Sequence, residues 1–242
     1  MNASDFAAAL LPGDILVVAT SKFDWGDKAI RLANFYKRGN GNRQWGHAAV
    51  YMGGGEVIES FPGRGVIRRK LSEAYLTDNN YALLAMRREG LCEKNLQAFL
   101  DFFPRQVGDG FDMRALLYYP LYMVVPGCLQ CLLDSPRVES LFHVTGRYYC
   151  SELVATGLQE AKDYCFERPP ARVMPLDFNN PLILTPVSQY TPPGWKKSGW
   201  LNVLAGILYF IVCVALTALA FFIVPLIFLA AWVMMRGKKK ER

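Results

Sequence analysis

Residues 45–60, WGHAAVYMGGGEVIES, contain two short β-rich runs separated by three consecutive glycines. Valine, isoleucine and tyrosine favour strands, and glycine readily adopts the backbone angles of a tight hairpin turn. The stretch therefore predicts an antiparallel hairpin with strands at residues 47–52 and 56–59. A tight turn at residues 53–55 places His47 and Glu59 on neighbouring strands at the same end of the sheet.

Similar patterns on both sides of this hairpin extend the sheet and add helices. The other predicted strands cover residues 13–20, 65–68 and 81–87. The predicted helices cover residues 24–36, 93–103 and 148–162. Pro104 is expected to end the second helix, because proline lacks the N–H that a helix interior needs. The expected fold class is α+β, with a small antiparallel sheet packed against helices.

Three polar residues in this arrangement suggest nucleophilic chemistry. Cys150 is predicted to begin a helix, where unpaired N–H groups and the helix dipole stabilise a thiolate. His47 can take up the thiol proton, and Glu59 can orient the histidine. From the residues alone, other assignments stay open: His143 competes for the role of base, Glu59 could be a solvated strand end, and Cys150 could be a small core residue.

Four segments of the chain resemble a known family. They are PGDIL at residues 12–16, the hairpin at residues 45–60, GVIRRKL at residues 65–71 and RYYCSELV at residues 147–154. Together they are similar to the permuted papain-like cysteine hydrolases. These are circularly permuted relatives of NlpC-type peptidases and are grouped with lecithin retinol acyltransferase.

The resemblance also covers the order of the motifs. In the permuted group the histidine precedes the cysteine, as His47 precedes Cys150 here, and PLD at residues 175–177 resembles a later landmark. Over residues 12–184 the resemblance implies a permuted papain-like fold with the cysteine helix at its centre. It implies the roles of nucleophile for Cys150, base for His47 and orienting acid for Glu59. Substrates in this superfamily include peptidoglycan peptides, lipid amides and acyl esters of phospholipids and retinol.

The C-terminal part of the chain has the composition of a membrane anchor. Residues 201–235 form a run of 35 residues without a charge, which exceeds the roughly 20 apolar residues that span a bilayer. Residues 236–242 carry five basic side chains and one acidic side chain, as expected for a stop signal and a contact with anionic lipids. The predicted organisation is a cysteine hydrolase domain at 1–184, a linker at 185–200, a transmembrane segment at 201–235 and a basic tail.

The remaining composition argues against several other functions. Residues 1–200 carry 22 basic and 20 acidic side chains, so no nucleic-acid partner is expected. The chain has two histidines and a single CxxC, at Cys128 and Cys131, so no metal and no other cofactor are expected. The first basic residue is Lys22, behind two aspartates, and no secretory signal is expected.

The leading interpretation is a membrane-anchored thiol hydrolase or acyltransferase that forms a thioester with a lipid acyl ester or amide. A phospholipase is one such enzyme, and a delivered antibacterial toxin is compatible with the absence of an export signal. A peptidase or amidase of peptidoglycan, and a non-catalytic membrane-perturbing or scaffold protein, are the alternatives. Residues 115–133, uncharged and rich in Leu and Tyr, are either a core insertion or a segment that dips into the membrane surface. The number of membrane crossings and the side on which the domain lies stay open.

Overall fold

A computed structural model describes residues 1–22, 45–115 and 144–195 of this 242-residue chain, together with residues 211 and 215. The strands are β1 (Ile15–Thr20), β2 (His47–Gly53), β3 (Glu56–Phe61), β4 (Gly65–Lys70), β5 (Tyr81–Arg87), β6 (Gly110–Phe111), β7 (Arg147–Tyr148) and β8 (Thr185–Tyr190). The helices are α1 (Ala3–Ala8), α2 (Glu93–Gln106) and α3 (Cys150–Glu160). A π-helical turn covers Ser72–Leu76, and 3₁₀ turns cover Pro170–Arg172 and Pro175–Phe178.

Four of the expected segments lie outside the described residues. They are the helix at residues 24–36, all but the first residue of the uncharged stretch at 115–133, the membrane segment at 201–235 apart from residues 211 and 215, and the basic tail at 236–242. Within the described ranges, no helix combines the length and the apolar character needed to cross a membrane.

A six-stranded antiparallel sheet forms the centre of the described domain. Its strand order is β4-β3-β2-β1-β5-β8, and every neighbouring pair is antiparallel. The α+β class is thereby confirmed, as are the hairpin of β2 and β3 and the flanking strands β1, β4 and β5. The coarse fold thus follows from strand-forming runs separated by glycine turns.

Both faces of the sheet are covered by apolar side chains, because alternate residues of a strand point to opposite faces. On one face, Ile15 and Val17 of β1 belong to the cluster that also contains Phe99 of α2 and Leu153 of α3. On the other face, neighbouring strand residues pack with α1 and the π-helical turn. Close contact between α2 and α3 depends on Gly157, where an added Cβ would lie 2.6 Å from the Phe103 ring.

A short parallel pair of strands ties the beginning of α3 to the edge of the sheet. Gly110 and Phe111 of β6 pair with Arg147 and Tyr148 of β7, and α3 begins two residues later. The segment before β6 is hydrogen-bonded to β4, because the Val66 N–H donates to the Asp109 carbonyl at 2.8 Å. The first turn of α3 is therefore held at a fixed place against the β3–β4 edge.

Two helix boundaries differ from the sequence-based expectation. Pro104 does not end α2, which continues to Gln106. In the last turn proline removes only one helical hydrogen bond, and apolar packing of the helix face outweighs that loss. The third helix begins at Cys150 rather than at residue 148, because Tyr148 pairs in β7 instead.

The prediction of a linker at residues 185–200 is wrong for its first six residues. Thr185–Tyr190 form β8, which pairs with β5, so that the folded sheet extends beyond residue 184. Tyr190 is buried against the α1 side of the sheet, which explains why this proline-containing segment stays attached. Proline is tolerated because β8 is an edge strand. The other domain boundaries stay predictions.

Gly65 gives a test of the contact that holds β6 against β4. Its φ is +72°, and an added Cβ would lie 2.0 Å from the Asp109 carbonyl oxygen. Gly63 in the preceding turn has a similar φ of +76° but nothing within 4 Å of an added Cβ. We expect Gly63→Ala to lower the free energy of unfolding by about 1 kcal/mol and Gly65→Ala by about 3 kcal/mol or more. Urea unfolding of the full chain in detergent, followed by tryptophan fluorescence, measures both, and equal losses would contradict the clash.

Candidate active site

The register of β2 and β3 brings His47 and Glu59 together. Ala49 is paired with Glu59, and His47 lies two residues before Ala49, hence on the same face of the sheet. His47 Nε2 and Glu59 Oε2 are 2.6 Å apart. The Glu59 side chain is fully buried, whereas 18% of the His47 side chain is exposed. The carboxylate therefore lies behind the histidine, and the histidine lies closer to solvent.

Two further side chains hold the Glu59 carboxylate. Arg69 donates to Oε1 at 3.0 Å, and the Tyr75 hydroxyl donates to Oε2, the oxygen that also contacts His47. Burial alone would raise the pKa of Glu59, but the contacts with His47, Tyr75 and Arg69 outweigh it and lower the pKa below its ordinary value of 4.5. Glu59 is therefore ionised at neutral pH.

Cys150 is the first residue of α3, and only 2% of it is exposed. The chain leading to it is fastened to β3, because the Ser60 hydroxyl donates to the Tyr148 carbonyl at 2.5 Å. The Glu152 carboxylate accepts the N–H of Tyr149 at 3.3 Å and caps the helix. The helix itself provides no partners for its first N–H groups, and its dipole favours negative charge at this end.

His47 also lies within hydrogen-bond reach of Cys150. Burial lowers this pKa, but the charge of Cys150, its hydrogen bond with the imidazole and the Glu59 carboxylate raise it from 6.5 to about 10. His47 is therefore a cation at neutral pH. Since Nε2 contacts Glu59, Nδ1 is the ring nitrogen that remains for the thiol. An imidazole in contact with both a carboxylate and a thiol can take up the thiol proton, which is the first step of nucleophilic chemistry at a cysteine.

Apolar side chains surround Cys150, and a buried aspartate follows one of them in the chain. Phe111, Ala115 and Met174 form a buried cluster with the cysteine. Asp112 is fully buried, and its carboxylate accepts the N–H of Ala115 at 3.1 Å and the N–H of Val144 at 3.0 Å. One carboxylate thus joins the two ends of the chain section that separates β6 from β7.

The three site residues expected from the sequence are adjacent in the structure, with His47 between Glu59 and Cys150. His143, the competing base, lies outside the described residues. Sequence reasoning missed Arg69, Tyr75 and Ser60. The register of β3 and β4 could have indicated Arg69, which lies diagonally opposite Glu59, but no pattern in the sequence connects Tyr75 with Glu59.

The described residues contain no group of three His, Cys, Asp or Glu side chains that could hold a metal ion. The expectation that the protein uses no metal or cofactor stays a prediction.

Comparison with protein-family models and with curated proteins gives no match to this chain. The resemblance to the permuted papain-like family therefore rests on the sequence motifs, and it stays an expectation.

The interaction between Cys150 and His47 can be measured without any substrate. The chain has two histidines, so ¹⁵N-histidine labelling gives two ring systems, and His143→Gln identifies the signal of His47. We expect His47 to titrate near pH 10 in the native protein. In Cys150→Ala its pKa should fall towards the ordinary 6.5, because the largest raising contributions are lost. Cys92→Ala, which changes an exposed cysteine, is the control.

The same titration has a consequence for stability. The pKa of His47 in the folded protein lies above its ordinary value, so its interactions stabilise the fold fully below about pH 6.5. That contribution is lost as the pH rises through about 10.

For the titration itself, a pKa of His47 that is the same in the native protein and in Cys150→Ala would contradict the contact between His47 and Cys150.

Proposed function

We propose that this protein is a cysteine hydrolase or acyltransferase of the permuted papain-like type, with Cys150 as nucleophile, His47 as acid and base, and Glu59 as the orienting acid. The observation that carries the proposal is the contact chain from buried Glu59 through His47 to a cysteine at the first position of a helix. The order of His47 and Cys150 in the chain agrees with the resemblance to the permuted group.

The proposed reaction passes through a thioester. The Cys150 thiolate attacks the acyl carbonyl carbon, and N–H groups at the start of α3 stabilise the resulting oxyanion. When the carbonyl re-forms, the bond to the leaving group breaks and His47 donates its proton to that group. Water or a second acceptor then attacks the thioester and gives a proton to His47. The acyl product leaves, and the thiolate is restored beside the imidazolium.

The proposed substrate is a lipid acyl ester or amide. The cysteine packs against the apolar side chains of Phe111, Ala115 and Met174. A site that binds an acyl chain needs such apolar surroundings. Ala115 is also the first residue of the uncharged stretch at 115–133, so this stretch starts at the site itself. An anchor at residues 201–235 would raise the local concentration of lipid around the thiol. The proposed location is therefore the membrane surface.

The proposal predicts an acyl-enzyme on Cys150. After incubation of the full chain with phospholipid vesicles, we expect released fatty acid and lysolipid, and a hydroxylamine-sensitive acyl adduct in the mass of the intact protein. Cys150→Ala should lose the adduct and lower the turnover by about 10⁴-fold or more, because no other group forms the covalent bond. Cys92→Ala, which changes an exposed free cysteine, should retain both.

The same preparations distinguish the alternatives when peptidoglycan is supplied in parallel. Cleaved muropeptides without lipid products would replace the lipid substrate by a cell-wall peptide and retain the cysteine chemistry. Vesicle leakage of equal extent in the native protein and in Cys150→Ala, without acyl products, would reject the enzyme and favour a membrane-perturbing protein.

A further inference from the structure

The Glu59 carboxylate has more partners than an orienting acid requires. Besides His47, it accepts hydrogen bonds from Arg69 of β4 and from Tyr75 of the π-helical turn. Tyr75 is 2% exposed, so the Glu59 carboxylate takes the place of water as the hydrogen-bond partner of its hydroxyl. Three elements of the fold therefore meet at one buried side chain.

The direction of the Tyr75 hydrogen bond is determined by chemistry. An ionised carboxylate can only accept, so the tyrosine hydroxyl must donate. Burial and then the neighbouring Glu59 raise the pKa of Tyr75 well above 10, and it stays a neutral donor throughout the working range of the protein. Arg69 and His47 both place positive charge beside Glu59.

We infer that Tyr75 and Arg69 are positioning residues that keep Glu59 ionised and directed at His47. The inference rests on the proposed function for its catalytic meaning, but its geometry does not depend on any substrate.

The two residues act on different oxygens of the carboxylate. Arg69 on Oε1 prevents the group from rotating, and Tyr75 occupies one lone-pair direction of Oε2 so that another faces His47. Burial without these donors would favour the neutral carboxyl. A protonated Glu59 would lose its attraction for the imidazolium. Its carboxyl hydroxyl could also face His47 Nε2, whose N–H the ionised carboxylate accepts.

Further titratable side chains lie on the side of Tyr75 that faces β5. Tyr81 of β5 packs edge-on against Tyr75, with ring centroids 5.4 Å apart. Behind it, Lys22 lies 5.6 Å from the centre of the Tyr81 ring and forms an ion pair with Asp78. Tyr81 is thus a second tyrosine close to Tyr75. The hydrogen bond to Glu59 comes from Tyr75 and not from Tyr81.

Two substitutions with matched controls test the inference. Tyr75→Phe keeps the ring and removes the hydroxyl, and its control is Tyr81→Phe. Arg69→Gln removes the positive charge that contacts Glu59, and its control is Arg68→Gln, which changes the adjacent arginine that pairs with half-buried Glu56. Each variant is made in the full chain and examined in the same detergent.

The first readout is the acidic inflection in the ring signals of His47, which senses the protonation of Glu59 through the 2.6 Å contact. In the native protein this inflection should lie below pH 4.5, because the pKa of Glu59 is lowered. It should move upward by about 1 pH unit or more in Tyr75→Phe and in Arg69→Gln, since each loses a bond to the charged form. The two controls should keep the native inflection.

The second readout is the pH profile of kcat/KM on the substrate that the native protein cleaves. Its acid limb should move upward in the same two variants and in neither control, which a loss of packing alone would not produce. An unchanged inflection of His47 in both Tyr75→Phe and Arg69→Gln would overturn the inference. A shifted inflection in a protein without acyl chemistry would support the positioning role and reject the proposed function instead.

Discussion

A charged carboxylate inside the protein is the constraint on which the whole site depends. Transfer of an unpaired carboxylate from water into a protein interior costs several kcal/mol, a large part of the 5–15 kcal/mol that stabilises a typical domain. Glu59 is nevertheless fully buried in the middle of β3. The fold tolerates it because β2, β4 and the π-helical turn each supply a donor. The relative positions of these three elements therefore follow from the need to solvate one side chain.

The same requirement extends to the cysteine. Glu59 holds one nitrogen of His47, and the imidazole also contacts Cys150. The position of Cys150 depends on β7 and on the hydrogen bond from Ser60 to the Tyr148 carbonyl. Glu59 and Ser60 are neighbours in β3, so one strand supports both ends of the contact chain. A small movement of β3 relative to α3 would alter both contacts together.

The elements that the sequence predicted correctly are those whose signal is local. Strand-forming runs beside glycine turns located β1 to β5, and motif order together with the expected helix start suggested His47, Glu59 and Cys150. The features that were missed depend on tertiary contacts. Tyr75 reaches Glu59 from an irregular turn without a helical period, and Thr185–Tyr190 resemble a linker until β5 offers an edge for pairing. Arg69 lies between these cases, because the strand register that indicates it is itself a tertiary property.

The carboxylate of Asp112 has a consequence for the geometry around the cysteine. It accepts N–H groups from Ala115 and Val144, so two residues that are distant in the sequence are bound to one side chain. Ala115 follows β6 and Val144 precedes β7, so the spacing of these two strands depends on a buried aspartate as well as on their own short pairing. Because α3 begins directly after β7, a side chain that touches neither His47 nor Glu59 helps to set where Cys150 lies.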